Sequence, residues 1–216
     1  MVDSMMKPAA TQQDRAIALL ESRGLVRLSE FVAEGITAAT ISRMEKKGAV
    51  MQLGRGLYQL SGICEEPNPL AFAAKLVPNG IICHASALAF HGLAEARPIT
   101  WIGIGPREWR PRLTQRTIQV ARYSPKAFDL GWKTHQIGSV PVKIYEPAKT
   151  IADLFQSARH QQIFYETKTG ITEAMKHAKE AMRQRKATKA TITRYADQIG
   201  ILKFMEPYLE AVTVDA

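Results

Sequence analysis

The segment TAATISRMEKK, residues 37–47, combines small hydroxyl side chains with cationic ones, which are the types that contact nucleic acid. Arginine and lysine bond guanine edges and phosphates, and a small hydroxyl residue permits close approach. If the segment is helical, Ile36, Ile41 and Met44 share one side, which predicts packing on a preceding helix. The opposite side then carries the candidate DNA contacts: Thr37, Ala39, Thr40, Arg43, Lys46 and Lys47.

These candidates divide by role. Thr40 and Arg43 are predicted to read base edges, whereas Lys46 and Lys47 are predicted to bind phosphates and supply affinity. A charged helix face that is merely solvated is the alternative interpretation, and for a helix in isolation it is the better one. The interpretation therefore depends on the neighbouring elements.

Two short helices are predicted around a tight turn. Thr11 is a good N-cap for a first helix that ends at Gly24. Ser29 is predicted to cap a brief second helix that stops at Gly35, and Thr37 caps the third only two residues later. Short helices joined by a turn that contains glycine are typical of a helix-turn-helix.

A predicted hairpin follows the third helix directly. Val50–Leu53 and Leu57–Leu60 read as strands around Gly54-Arg55-Gly56, so that Arg55 lies at an exposed tip. A helix-turn-helix followed by such a hairpin predicts a winged helix, with the tip arginine suited to the minor groove. Winged helices also bind proteins. A protein-interaction module would be indicated if Arg43 and Arg55 turned away from a common face.

The stretch LLESRGLVRLSEFVAEGITAATISRMEKKGAVMQLGRGLYQL resembles the N-terminal domain of the AbiEi-type antitoxin and transcriptional-regulator family of bacterial type IV toxin–antitoxin systems. GRGLYQL is its most recognisable piece. HASALAFHGL (His84–Leu93) and KIYEPAKTIADLF (Lys143–Phe155) are similar to the C-terminal region of that family. The likeness is loose over residues 96–140 and 160–216.

The resemblance implies two functions. The N-terminal domain would bind inverted repeats of double-stranded operator DNA in the promoter of its own operon and repress it. The C-terminal region would contribute to neutralising a nucleotidyltransferase-like toxin, directly or indirectly. The resemblance thus implies a repressor and antitoxin, and not an enzyme.

The chain is predicted to be an α+β protein, with an N-terminal winged helix-turn-helix over residues 1–62 and a mixed α/β C-terminal domain over residues 70–216. The polar segment at residues 63–69, which contains EEPNP, is the predicted linker. Helices are predicted over 70–76, 85–90, 147–157, 171–185, 191–199 and after 204. Strands are predicted over 80–83, 100–104, 117–122 and 140–145.

Two cationic clusters lie in the C-terminal region. Arg107, Arg110, Arg112 and Arg116 fall in a predicted loop with Trp109, and Lys176, Lys179 and Arg183 lie in a predicted helix. Each cluster is interpreted either as a secondary contact to nucleic acid or a partner, or as a solvated surface.

A metal-dependent nuclease is the alternative from another class. Glu166-Thr167-Lys168 has the ExK form and Asp153 precedes it by thirteen residues, as a restriction-like site requires. Asp153, however, lies in a predicted helix, whereas such sites place the acid at the end of a strand.

His84, Ser86 and His91 also invite a catalytic or metal interpretation, but their spacing fits no standard ligand set. We expect two structural histidines and a helix cap. The two cysteines form no pair at zinc spacing, so neither a metal nor a cofactor is expected.

Composition is consistent with a nucleic-acid partner. The net charge is +9, and 46% hydrophobic with 23% charged residues is usual for a folded soluble domain. The first fifteen residues lack the apolar stretch of a signal peptide, and no segment is apolar enough to span a membrane. A cytoplasmic location is therefore expected.

Overall fold

The computed structural model describes residues 10–63, 66–108, 117–159 and 170–214. The chain divides into two compact units. The first comprises residues 1–76 with 137–140, and the second comprises residues 77–136 with 141–216.

The first unit contains a helix-turn-helix and a small antiparallel sheet. Its elements are α1 (Gln12–Arg23), β1 (Val26–Arg27), α2 (Leu28–Ala33), α3 (Ala38–Lys46), β2 (Val50–Gly54), β3 (Leu57–Leu60) and α4 (Pro69–Leu76). The strand order is β1-β3-β2, so that β3 lies between the short strand of the helical region and its own hairpin partner.

Local signals account for the bounds of α1. The Thr11 hydroxyl accepts from the Asp14 amide at 3.2 Å, and the Asp14 carboxylate accepts from the Thr11 amide at 2.9 Å. This reciprocal cap satisfies amides that the helix leaves unpaired. Gly24 ends the helix with a φ of +66°, a conformation that glycine adopts without strain. Ala16 and Leu20 are buried in one core with Ile41 of α3.

The second helix begins earlier than the sequence predicted. Arg27, not Ser29, is the N-cap of α2, and its amide donates to the Glu30 carboxylate at 2.8 Å. The predicted cap at Ser29 is therefore wrong, because Glu30 reaches back one turn and satisfies the amide before Leu28.

Helix α4 groups with the first unit, whereas the sequence placed the domain boundary before it. Lys75 donates to both carboxylate oxygens of Glu30 at 2.8 Å, and the Arg27 guanidinium donates to the Lys75 carbonyl. Burial raises the pKa of Glu30, but the Lys75 hydrogen bond and nearby cations outweigh it, so the pKa lies below its usual range. These contacts hold the end of α4 against α2.

The second unit has a mixed five-stranded sheet and a layer of helices. Its elements are β4 (Ile81–Ile82), α5 (His84–Phe90), β5 (Thr100–Ile104), β6 (Ile118–Arg122), α6 (Pro125–Phe128), β7 (Trp132–Ile137), β8 (Val140–Tyr145), α7 (Pro147–Arg159), α8 (Gly170–Arg183), α9 (Lys189–Gln198) and α10 (Leu202–Val214). The strand order is β6-β5-β4-β8-β7. β4 is parallel to β8 and antiparallel to β5.

The α+β fold class is confirmed, and the predicted helices and strands of the second unit are present. Two elements were missed. β7, WKTHQI, has few apolar residues, and its side chains are half-buried or exposed, so period-two patterning is weak. α6 is a single turn that begins at Pro125, too short for a helical repeat to be visible.

Helices α5, α7, α8, α9 and α10 of the second unit share one core. α7 is its central element, with Ile151 and Phe155 fully buried. Ala174, Ala178 and Ala181 recur on the buried side of α8, where small side chains allow close approach of α7.

Candidate nucleic-acid interface

Helix α3 is held by its N-cap and by its apolar side. The Thr37 hydroxyl accepts from the Thr40 amide at 3.3 Å, which caps the helix. Ile41 and Met44 are buried at 0% and 2% exposure in the core of the first unit, as the sequence predicted. The remaining side of the helix is left to solvent.

The structure brings most of the predicted contact residues onto that open side. Thr37, Ala39, Arg43, Lys46 and Lys47 are all exposed. Arg43 and Lys46 lie in the last turn of the helix, where cations interact favourably with the helix dipole.

Thr40 is the exception among the predicted contact residues. It is only 2% exposed, and its hydroxyl donates to the Gln12 side-chain oxygen at 2.7 Å. The prediction that Thr40 lies on the exposed face is therefore wrong. The physical reason is that α1 supplies an acceptor for this hydroxyl, so that burying it costs little.

Ser42 is a residue of the open side that the sequence interpretation passed over. It is exposed, and it is three residues from both Ala39 and Glu45 along α3. With about 3.6 residues per turn, Ser42 lies about 60° from Ala39 and about 40° from Lys46 around the helix axis, away from the buried Ile41 and Met44. Counting the helical repeat from the buried residues would have identified it.

The wing has the predicted geometry. β2 and β3 pair antiparallel, with Arg55 and Gly56 forming the turn. Gly56 has a φ of +66°, whereas Gly54 ends β2 at an irregularity in the register. The Gly56 carbonyl accepts from the Leu28 amide at 2.8 Å, which fixes the base of the turn to the start of α2. Arg55 is exposed.

The cations of this surface are not neutralised by the first unit. Among the residues that the structure describes, no carboxylate lies within salt-bridge distance of Arg43, Lys46, Lys47 or Arg55. The ion pairs of this unit instead join Arg23 and Lys75 to Glu30 and Glu34. We refer to Thr37, Ala39, Ser42, Arg43, Lys46, Lys47 and Arg55 as the basic surface.

The two cationic clusters of the C-terminal region differ in exposure and pairing from the basic surface. Arg107 is exposed, whereas Arg110, Arg112 and Arg116 lie outside the described residues. On α8, Lys176, Lys179 and Arg183 are exposed at spacings of three and four, and so share one face. Arg183 donates to both oxygens of Glu180, at 2.8 and 2.6 Å. This pairing is the main reason that the pKa of Glu180 is lowered to about 2.

The residues of the nuclease alternative are only partly described, since Glu166 and Lys168 lie outside the described residues. Asp153 is 1% exposed in the middle of α7, and both its oxygens accept from Lys149 Nζ at 2.7 Å. Burial raises the pKa of this carboxyl. A carboxylate that is buried and already paired is poorly placed to ligate a catalytic metal.

His84, Ser86 and His91 have structural contacts. His84 is buried between Trp101 and Tyr123, with ring centroids 5.6 and 6.0 Å away, and burial lowers its pKa to about 3. Ser86 Oγ accepts from the Trp101 amide at 2.9 Å, and His91 Nε2 lies 2.9 Å from the Tyr145 carbonyl. The predicted helix cap is wrong, because the N-cap of α5 is Cys83 and Ser86 bonds β5 instead.

In the part of the chain that the structure describes, no three His, Cys, Asp or Glu residues form a group that could hold a metal ion. In the same residues, every helix is too short or too polar to cross a bilayer.

A helix-turn-helix followed by a hairpin with an exposed arginine defines a winged-helix protein with a basic surface. The family model for the transcriptional regulator AbiEi antitoxin matches residues 14–61, which confirms the resemblance over α1 to β3. The match supports a general role as a DNA-binding regulator or antitoxin. Among curated proteins, none matches this chain.

A solved structure is similar in fold to most of this chain. The structure is similar to the crystal structure of the RV2827C protein from Mycobacterium tuberculosis, with a TM-score of 0.56 and 13% sequence identity. The similarity covers 95% of this chain and 83% of that one. At this level of identity, the likeness concerns the fold alone.

Proposed function

We propose that this protein is a sequence-specific DNA-binding repressor that regulates its own operon and acts as the antitoxin of a type IV toxin–antitoxin system. The N-terminal part of α3 enters the major groove of an operator that contains inverted repeats, and Arg55 enters the adjacent minor groove. The protein acts by binding and has no catalytic role.

The observation that carries this proposal is the basic surface. Four exposed cations have no carboxylate of the described residues within salt-bridge distance, and they lie on a helix and a hairpin of one winged helix. Phosphates are the partner that such cations suit, because binding them releases condensed counterions. The family description of residues 14–61 as a transcriptional regulator supports the same function.

The roles within the basic surface follow from side-chain chemistry. Arg43 reads a guanine edge, because a guanidinium can donate two hydrogen bonds to O6 and N7. Ala39 and Ser42 allow close approach to base edges, and Ser42 takes the readout role first assigned to Thr40. Thr37, Lys46 and Lys47 bind the phosphate backbone.

The C-terminal unit carries the antitoxin function in this proposal. Its partner would be a nucleotidyltransferase-like toxin, neutralised directly or through an indirect effect. Lys176 and Lys179 are candidate secondary contacts to nucleic acid or partner, together with the arginines at 107, 110, 112 and 116. Arg183 is a weaker candidate, because Glu180 already accepts two of its hydrogen bonds.

The test is fluorescence anisotropy with the full chain. One duplex covers the region upstream of its own gene and a second has random sequence, each at two salt concentrations. We expect tight binding to the upstream duplex alone, weakened by salt. Equal and weak binding to both duplexes would refute the repressor and favour a winged helix that binds protein. Cleavage of either duplex with Mg²⁺ or Mn²⁺ would favour the nuclease.

A further inference from the structure

Gln12, the first residue of α1, is joined to the recognition helix α3 by three hydrogen bonds. Its side-chain oxygen accepts from the Thr37 amide at 3.1 Å, the Thr37 hydroxyl at 3.1 Å and the Thr40 hydroxyl at 2.7 Å. A backbone amide can only donate, so the atom that faces Thr37 must be the oxygen of Gln12 and not its nitrogen. The orientation of this amide is therefore determined.

The same hydroxyl of Thr40 connects Gln12 to Arg43. Arg43 Nη2 donates to Thr40 Oγ1 at 3.3 Å, and Arg43 Nε donates to the Ala39 carbonyl at 3.4 Å. A hydroxyl has one proton and two lone pairs. Thr40 Oγ1 lies 2.7 Å from the Gln12 oxygen and 3.0 Å from the Thr37 hydroxyl. Since Thr40 donates its single proton over the shorter distance, to Gln12, its lone pairs face Thr37 and accept from Arg43. The hydrogen bonds thus run in one direction, from Arg43 through Thr40 to Gln12.

The groove beside this chain is open to solvent. Thr11, Gln12, Gln13, Thr37, Thr40 and Arg43 line it. Thr40 is buried in the first unit, whereas Arg43 is exposed. A partner can therefore reach this series of hydrogen bonds at Arg43 and not at Thr40.

We propose that Gln12 is a positioning residue for base readout, because it sets the Thr40 hydroxyl that holds the Arg43 guanidinium before DNA binds. The expected effect on base preference rests on the proposed function, whereas the expected order of the Arg43 side chain concerns the protein without DNA. Ordering a long side chain on binding weakens affinity by a factor of about 2 to 10, and Gln12 removes part of that cost in advance.

Three variants separate positioning from general structure. Gln12→Met keeps the length of the side chain but has no acceptor. Gln12→Glu keeps an acceptor oxygen for all three donors, although its charge weakens binding to every duplex. Gln13→Met is the matched control, because Gln13 lines the same groove but takes no part in this hydrogen-bonded chain.

The first measurement is made without DNA. In the full chain, ¹⁵N relaxation of the Arg43 Nε–Hε group should report an ordered side chain for the native protein, Gln12→Glu and Gln13→Met. In Gln12→Met the same group should become mobile on the picosecond-to-nanosecond timescale. Unchanged Arg43 order in Gln12→Met would overturn the proposal, whether or not the protein binds DNA.

The second measurement is specificity. A duplex is selected from a library with a randomised centre by using the native chain, and its affinity is compared with that of single-base-pair changes. Gln12→Met should lower the preference at the base pair read by Arg43 by about 2- to 10-fold, as expected for one lost hydrogen bond. Gln12→Glu should keep this ratio, and Gln13→Met should change nothing.

The double variant Gln12→Met with Arg43→Ala decides whether Gln12 acts through Arg43. We expect its preference to equal that of Arg43→Ala alone, because coupled residues are not additive. An undiminished effect of Gln12→Met in the Arg43→Ala background would overturn the proposal. A native chain that selects no sequence at all would instead refute the proposed function, and the relaxation result would still decide the positioning.

Discussion

Cationic side chains in the two units of this molecule are held in opposite ways. Arg43, Lys46 and Lys47 in the first unit are exposed, and no carboxylate of the described residues lies within salt-bridge distance. Lys149 in the second unit is 0% exposed, lies 2.7 Å from both oxygens of Asp153, and packs 4.3 Å from the Tyr145 ring centre. A net charge of +9 counts these cations alike.

The difference separates cations that can bind a partner from those that cannot. An exposed lysine contributes little to stability and keeps its charge for phosphates. A buried ion pair has lost its hydration, so that breaking it is costly even though forming it is nearly neutral. Substituting an exposed cation of the first unit and a paired cation of the second should therefore have different consequences.

The largest effect is expected from Lys149→Met. This variant leaves the Asp153 carboxylate buried without its partner, and should lower the free energy of unfolding by about 3–5 kcal/mol. Urea denaturation followed by circular dichroism measures it. The control is Lys46→Met on the exposed side of α3, which should change stability by less than about 0.5 kcal/mol.

The double variant Lys149→Met with Asp153→Leu removes both charges and should recover much of the lost stability. If Lys149→Met were as harmless as Lys46→Met, the two cations would not differ as the structure indicates.

Arg43→Ala should show the reverse behaviour. We expect specific DNA affinity to fall by about 1–3 kcal/mol with relaxed preference at one base pair, while the free energy of unfolding stays nearly unchanged. Anisotropy against a selected duplex and its single-base variants measures the first, and urea denaturation the second. An unchanged difference between selected and random duplexes would show that Arg43 does not read bases.

Acid should destabilise the second unit through His84, which is buried there. Burial, and secondarily the charge of Lys149, lowers the pKa of His84 from 6.5 to about 3. Between these values the unfolded chain binds a proton that the folded chain does not. The contribution of the neutral His84 to the free energy of unfolding is therefore fully present above about pH 6.5. It falls as the pH drops, by at most about 1.4 kcal/mol per pH unit for one group.

His84→Asn tests this assignment. Asparagine tolerates the φ of 48° at this position, so the variant can keep the backbone conformation. We expect the free energy of unfolding, measured in urea at a series of pH values, to decline less steeply between pH 6.5 and pH 3 in the variant than in the native protein. Identical slopes would mean that His84 does not titrate on unfolding.

The smallest effect concerns salt. Lys47→Ala should weaken binding to all duplexes alike and reduce the slope of log affinity against log salt by about 0.9, the value for one phosphate contact. Arg183→Ala should leave the slope unchanged, because Glu180 already engages that guanidinium. A salt titration by anisotropy gives both slopes. Equal reductions would mean that Lys47 and Arg183 both contact phosphate, contrary to this prediction.

Much of the fold could be predicted because its signals are local. Thr11 and Thr37 cap helices at the predicted residues, and Gly24 ends the first helix with a positive φ. The hairpin around Arg55 follows from two short apolar runs and a turn with glycines. β7 could not be predicted, because its polar residues become a strand only when they pair beside β8.

By itself, the sequence determined the winged helix, most helices and strands of the second unit, and the exposed positions of Arg43, Lys46, Lys47 and Arg55. Each of these depends on caps, glycines and helical period within a few residues. Only the tertiary structure decided that Thr40 is buried and that Lys149 is paired in the interior. The reason is that burial of a polar group depends on a partner brought from a distant element, here Gln12 of α1, or on the layers packed around its own helix.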